Sequence, residues 1–176
     1  MIKDFLLDIT KAKDSGAYLS ALALALTIPD ICGKVEGNGN NDREKYINWF
    51  NEWIYKFFEL PKSDNPMFDE HDDLVIFDGL VCYALRCAFL HCGSVKLKEN
   101  TRLNIKLDRV ELCIVEGEWQ FGDSHGCYLS DGEVIETHRR FNVINLLDAF
   151  IQGTQEYLKA CGDNSRKYAA VNIIKF

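Results

Sequence analysis

Residues 72–93, DDLVIFDGLVCYALRCAFLHCG, constrain this chain more than any other stretch. They predict one long helix, with Asp72 or Asp73 as its N-cap and Gly93 just past its end. Between positions 78 and 96 only Arg86 and His91 can carry a full charge, and their neighbours are Leu, Val, Ala, Phe, Cys, Tyr and Gly. A helix apolar on nearly every side belongs at the centre of a core or against a second subunit. An unpaired buried charge is strongly unfavourable. Arg86 and His91 therefore need partners elsewhere, or they face a cleft in which they are used.

A chain of 176 residues is long enough to bury a substantial core and is expected to form a single domain over residues 1–176. Its net charge of -7 argues against a broad surface that coats nucleic acid, though not against a small positive site for one phosphodiester. The start, MIKDFLLDITKAKD, has acids within its apolar part, unlike a signal peptide. No uncharged apolar run approaches the roughly 20 residues that span a bilayer. Seven scattered cysteines suit reduced thiols in a cytoplasmic protein better than a disulfide framework.

In chain order, residues 2–28 predict helix, with a possible break at Ser15-Gly16. The Ala/Leu alternation of AYLSALALALTI is too long for a typical strand, and both residues are strong helix formers. Pro29 is expected to end this helix, leaving residues 27–33 as a turn with a free carboxylate at Asp30. GNGNN, residues 37–41, reads as a loop. Asn41 or Asp42 then caps a second amphipathic helix, in which Tyr46, Ile47, Trp49, Phe50, Trp53, Ile54, Phe57 and Phe58 recur every three or four residues. Core packing is the expected use of these aromatics, with base stacking the lesser alternative. Residues 61–66 form a loop into the central, third helix.

Beyond Gly93 the periodicity changes. Leu103, Ile105 and Leu107 alternate, as do Val110, Leu112 and Ile114, and Asp131-Gly132 is a hairpin signal. These predict a small antiparallel sheet over about residues 103–142, appended after the third helix to a mainly α body. A last helix is expected from about Asn142 to Cys161, and the tail KYAAVNIIKF reads as a possible edge strand.

No metal or cofactor is expected. Cys87 and His91 stand at i and i+4, but Cys82 and Cys92 lie on other faces of the helix, so no zinc set converges. Buried cysteine acting as a small apolar residue fits this stretch better. A Cys87–His91 nucleophile pair is disfavoured by its mid-helix, apolar setting.

Arg86 and His91, separated by CAFL and followed by a glycine cap, have a different significance. An arginine, four residues and a histidine on an apolar helix resemble the R-x4-6-H motif of the HEPN superfamily. The resemblance covers about residues 2–93 and the last helix, and not the sheet. It implies a compact helical bundle that dimerises and, in many members, a metal-independent ribonuclease of toxin or defence type. It places the catalytic pair at Arg86 and His91, with Tyr83, one turn earlier, and Cys87 as supporting residues. RNA would be the substrate, and an antitoxin or defence partner would accompany it, without membrane association. Active members usually carry a polar residue after the arginine, where this chain has Cys87. The alternative is a non-catalytic HEPN-like dimerisation or interaction module.

Elementary geometry is compatible with the resemblance. Positions five apart lie about 140° apart round a helix, so one helix does not easily aim both at one atom. Two copies crossing in a symmetric dimer would bring both pairs to one cleft. The dipole of the last turn favours a protonated His91. A guanidinium that grips phosphate oxygens, beside an imidazole that moves a proton, suits attack of a ribose 2′-hydroxyl on its own phosphodiester. In the bland arrangement Arg86 pairs with a carboxylate such as Asp30 or Asp78.

Overall fold

Helix α4 (Asp42–Trp53) packs against three other helices, while the first two helices pack on each other and on the last. The computed structural model describes residues 1–57, 77–97, 107–115, 124–130 and 133–162, and their side chains except at 124–130 and 133–137. The chain is mostly helical with a small sheet. Helices α1 (Ile2–Asp14), α2 (Tyr18–Ala25) and α3 (Ile28–Glu36) precede α4, and α5 (Gly79–Cys92) follows it. Strands β1 (Arg109–Cys113), β2 (Ser124–Ser130) and β3 (Glu133–Asn142) then lead directly into α6 (Val143–Cys161).

The start of α4 shows why a helix begins there. The Asn41 side chain accepts from the Glu44 backbone N–H at 2.9 Å, and the Glu44 carboxylate reaches back to the Asn40 N–H at 2.8 Å. One donor that the first turn leaves orphaned is thereby met, and the residue before the cap is tied to the helix in return. From α4, Tyr46, Trp49 and Phe50 are buried. Phe50 meets Phe77 and Phe150 edge-on, and Trp49 and Trp53 both meet Tyr157 of α6. The aromatic stripe is thus spent on packing. Three glycines let the neighbouring helices approach. A Cβ at Gly33 of α3, Gly79 of α5 or Gly153 of α6 would stand closer than 3.0 Å to backbone oxygens of Lys45, Ile47 or Trp53.

Pro29 does not end a helix. It lies in the first turn of α3, where its missing N–H costs nothing and its fixed φ suits the helix. The break falls at Leu26-Thr27 instead, so residues 27–33 are mostly helix and not a turn. The stretch Tyr18–Glu36 is apolar and long enough, by length and composition alone, to cross a membrane. It carries Asp30, Lys34 and Glu36, and Ala21, Leu22, Ala25, Leu26, Ile28 and Cys32 are fully buried.

The central helix starts at Gly79, later than expected. Asp78 is its N-cap, in extended backbone, and its carboxylate accepts from the N–H groups of Leu80 and Val81. Asn51 of α4 accepts from the Gly79 N–H at 2.7 Å, which fixes that end against α4. Gly93, at φ 60°, closes the other end. The expected caps at Asp72 and Asp73, the loop at 61–66, Phe58, residues 103–106, the turn at 131–132 and the tail from 167 lie outside the described residues.

The sheet corrects the antiparallel expectation. Its order is β1-β3-β2, and β1 runs parallel to β3, with Val110 opposite Arg139 and Leu112 opposite Phe141. β2 pairs antiparallel with β3, so the sheet is mixed. Alternation reports which side chains face the core and not strand direction, because period 2 is common to both kinds of ladder. Asn142 ties the sheet to the helices. It caps α6 through the Ile144 N–H and exchanges two hydrogen bonds with the Val115 backbone. Leu97, Leu107, Val110 and Phe141 share one core with the helices.

Candidate functional site

The site forms where the last two turns of α5 pass α3. Asp30 stands in the first turn of α3, placed there by the proline start. Its Oδ2 accepts from Arg86 Nε at 2.9 Å, in a pair that is only about a quarter exposed on either side. Burial acts against the charged guanidinium, but Asp30 and the adjacent Cys87 outweigh it, and the pKa of Arg86 is raised. Of the two carboxylates considered as its partner, Asp30 is the one engaged, while Asp78 is used as a cap.

The same guanidinium also faces His91. Arg86 Nη1 lies 2.9 Å from His91 Nε2 within one chain. The expectation that one helix keeps these side chains apart fails because the arginine is long. Its terminal nitrogens span the angle that separates the two Cα positions. A guanidinium only donates, so Nε2 is the acceptor in this contact and the ring proton sits on Nδ1. Arg86 is half-buried and His91 is exposed, so the pair opens to solvent.

Tyr83 and Cys87, one turn apart and both half-buried, flank Arg86. Burial first, and then the Cys87 sulfur, raise the pKa of the Tyr83 phenol. Beneath them lies a fully buried pair. Tyr46 donates to the Leu26 carbonyl at 3.1 Å and its oxygen lies 3.3 Å from Cys82 Sγ. The ring of Tyr46 meets that of Tyr83 edge-on at 5.3 Å, so the site rests on a packed floor. The structure therefore brings Arg86 and His91 of α5 into contact, with Tyr83 and Cys87 beside the guanidinium and Asp30 added from α3.

The chain matches no family model, no curated protein and no solved structure. What the site can do therefore rests on its own geometry. Among the described residues no group of three or more His, Cys, Asp or Glu converges as a metal site.

Beyond Gly93, among the described residues, cations gather round one carboxylate. An open cleft of about 650 Å³ is lined by Phe89, Gly93, Ser94, Val95, Lys96, Arg109, Glu111, Leu112 and Arg140. Glu111 is shared there by Arg109 and by Arg140, whose Nη2 lies 2.9 Å from Oε2. Those two arginines hold its carboxyl below the usual carboxylate range, Arg109 most strongly. Periodicity and motif spacing do not reveal this cluster, because its members come from separate segments. The one local signal is the Arg139-Arg140 doublet within an acidic chain.

Proposed function

We propose that this chain is a HEPN-like, metal-independent endoribonuclease of toxin or defence type, cytoplasmic and active as a homodimer. The observation that carries the reading is the 2.9 Å contact between Arg86 Nη1 and His91 Nε2 at the solvent-open end of α5. The lone pair of His91 Nε2 accepts from Arg86 in the resting site, and takes the proton of a ribose 2′-hydroxyl once the guanidinium turns to the phosphate. The 2′-oxygen attacks phosphorus, and the bond to the 5′-oxygen breaks as that oxygen gains a proton from a general acid. The products are a 2′,3′-cyclic phosphate and a 5′-hydroxyl. Arg86 stabilises the charge that gathers on the phosphorane oxygens. Asp30 sets the guanidinium, and Tyr83 and Cys87 support it. No step calls for a metal or cofactor.

A dimer suits the reading because one histidine cannot be base and acid at the same moment, and a second copy supplies the other. Leu80, Tyr83, Cys87 and Leu90 form a half-buried stripe along α5, spaced to meet a twofold copy of itself.

The second reading, a non-catalytic HEPN-like interaction module, is favoured by the Asp30–Arg86 ion pair, since an arginine held by an internal carboxylate has less left for phosphate. Incubation of the protein with single-stranded RNA in the presence of chelator separates the two. Fragments ending in 2′,3′-cyclic phosphate support the enzyme, whereas intact RNA beside a folded dimer supports the module.

A further inference from the structure

We infer that oxyanion binding at Arg86 and proton uptake at His91 are coupled through the contact between them, so that the pair is a latch which a proton or an anion opens. The inference concerns the regulation of the site proposed above and takes its oxyanion, the phosphate of RNA, from that reading. The latch itself rests on geometry within one chain.

Arg86 spends Nε on Asp30 and Nη1 on His91, each at 2.9 Å. The carboxylate anchors the guanidinium from the α3 side, and the imidazole covers Nη1. An oxyanion that is to use Nη1 must therefore displace an imidazole. As it stands, the site is closed.

Protonation opens it. The neutral ring accepts at Nε2, whereas the imidazolium donates from both nitrogens and accepts at neither. A donor would then face a donor, and two positive charges would repel across the same short gap. His91, exposed in the last turn of α5, swings away while Asp30 keeps Arg86 in place. The reverse path leads to the same state. An anion that draws Nη1 off releases the lone pair and puts negative charge beside the ring, so a proton from solvent adds to Nε2. Each event favours the other by an equal factor, as linkage requires. In the proposed cleavage this gives the general acid its origin, since a histidine that takes a proton as phosphate binds can return it to the 5′-oxygen.

On α5 the ring is neighboured by Cys87, one turn back, and by Cys92. Of the other elements, α3 presents Asp30, α4 presents Tyr46 against Tyr83, and α2 carries no charged side chain. Lys34, Asp42 and Lys45 are engaged with one another. Among the described residues, Arg86 is the charged group within hydrogen-bonding distance of the ring.

The test uses the full chain and sulfate, whose charge is constant over the range, with binding read from the Gly93 amide resonance. Arg86→Gln identifies the part of the signal that belongs to the site. Titrations run from about pH 8 to about pH 5.5, the span in which imidazole takes its proton. Over it the sulfate affinity of the native chain should rise by up to about tenfold per pH unit, the limit for one coupled proton. Simple attraction to a charged ring would also do this, so the decisive comparison is made at about pH 8. There His91→Ala, which has no imidazole to displace, should bind sulfate about 2–10-fold more tightly than the native chain, the worth of one competing hydrogen bond. Its affinity should also vary little with pH. Native binding equal to or tighter than that of His91→Ala at the alkaline end, native affinity independent of pH, or no sulfate at Arg86 at any pH would overturn the inference. Those outcomes leave the ribonuclease reading standing if the native chain cleaves RNA. A latch that passes in a chain that never cleaves RNA stands by itself, and the ribonuclease reading falls.

Discussion

Asp30 Oδ2 accepts a hydrogen bond from Arg86 Nε at 2.9 Å, joining α3 to α5 across 56 residues of sequence. The pair is partly buried, and its carboxylate fixes the direction in which the rest of the guanidinium points. Asp30→Asn should lower stability by about 1–3 kcal/mol, the usual range for losing a hydrogen bond to a charged group. In the ribonuclease reading it should also slow cleavage by about 10–100-fold through misplacement of Arg86. Urea unfolding and single-turnover cleavage measure the two effects. Stability and rate both unchanged would show that Asp30 does not position Arg86.

His91→Ala should separate chemistry from folding. The residue is exposed at the end of α5, so the expected stability change is within about 0.5 kcal/mol. Cleavage should fall by about 10²–10⁴-fold, the typical contribution of a general acid or base. Cleavage that survives His91→Ala, or that stops when chelator is added, would count against the proposed mechanism.

The close approaches of α4 can be tested through one residue. A Cβ at Gly153 would meet the Trp53 carbonyl and the Ile54 side chain, and backbone cannot step aside cheaply. Gly153→Ala should destabilise by about 1–3 kcal/mol despite alanine's better helix propensity. A stabilised variant in thermal unfolding would mean that α6 and α4 are further apart than described.

Alkaline pH probes the floor of the site. Burial raises the pKa of both Tyr46 and Cys82; Cys82 adds to the rise at Tyr46, while the hydrogen bond shared with Tyr46 works the other way at Cys82. Unfolded, the thiol and phenol would ionise near 9.0 and 10.0. Stability from keeping them protonated is therefore fully present below about pH 9 and is lost as pH rises from there toward the raised folded values. Cys82→Ala should make the alkaline fall shallower, whatever it does at neutral pH. Parallel urea-stability curves for the two proteins across that range would refute the assignment.

Much of the helical body is legible in the sequence because its signals are local. The break at Ser15-Gly16, the cap at Asn41, the αL glycine at Gly93 and the span of the last helix all lie where the residues point. Pro29 misleads because the same residue that blocks a helix interior suits a first turn, and which applies depends on what precedes it. The start of α5 is hidden because Asp72, Asp73 and Asp78 are all competent caps, and Asn51 from another helix selects the last of them by bonding Gly79. Arg86 and His91 can be singled out from spacing on an apolar background. Their contact within one chain cannot, since it depends on side-chain reach. Nor can the cluster of Lys96, Arg109, Glu111 and Arg140, which exists only once β1 and β3 lie side by side.

Asn142 gives the strand-to-helix junction a mechanical character. β3 ends on it and α6 begins at the next residue, so no loop intervenes to absorb motion. Its buried side chain simultaneously clasps the backbone at Val115, just past the end of β1. Amides at Val115 and Ile144 should therefore exchange with deuterium through one shared opening, although they lie far apart in the chain. A displacement of β3 would therefore pass to α6 with no loop between them to take it up.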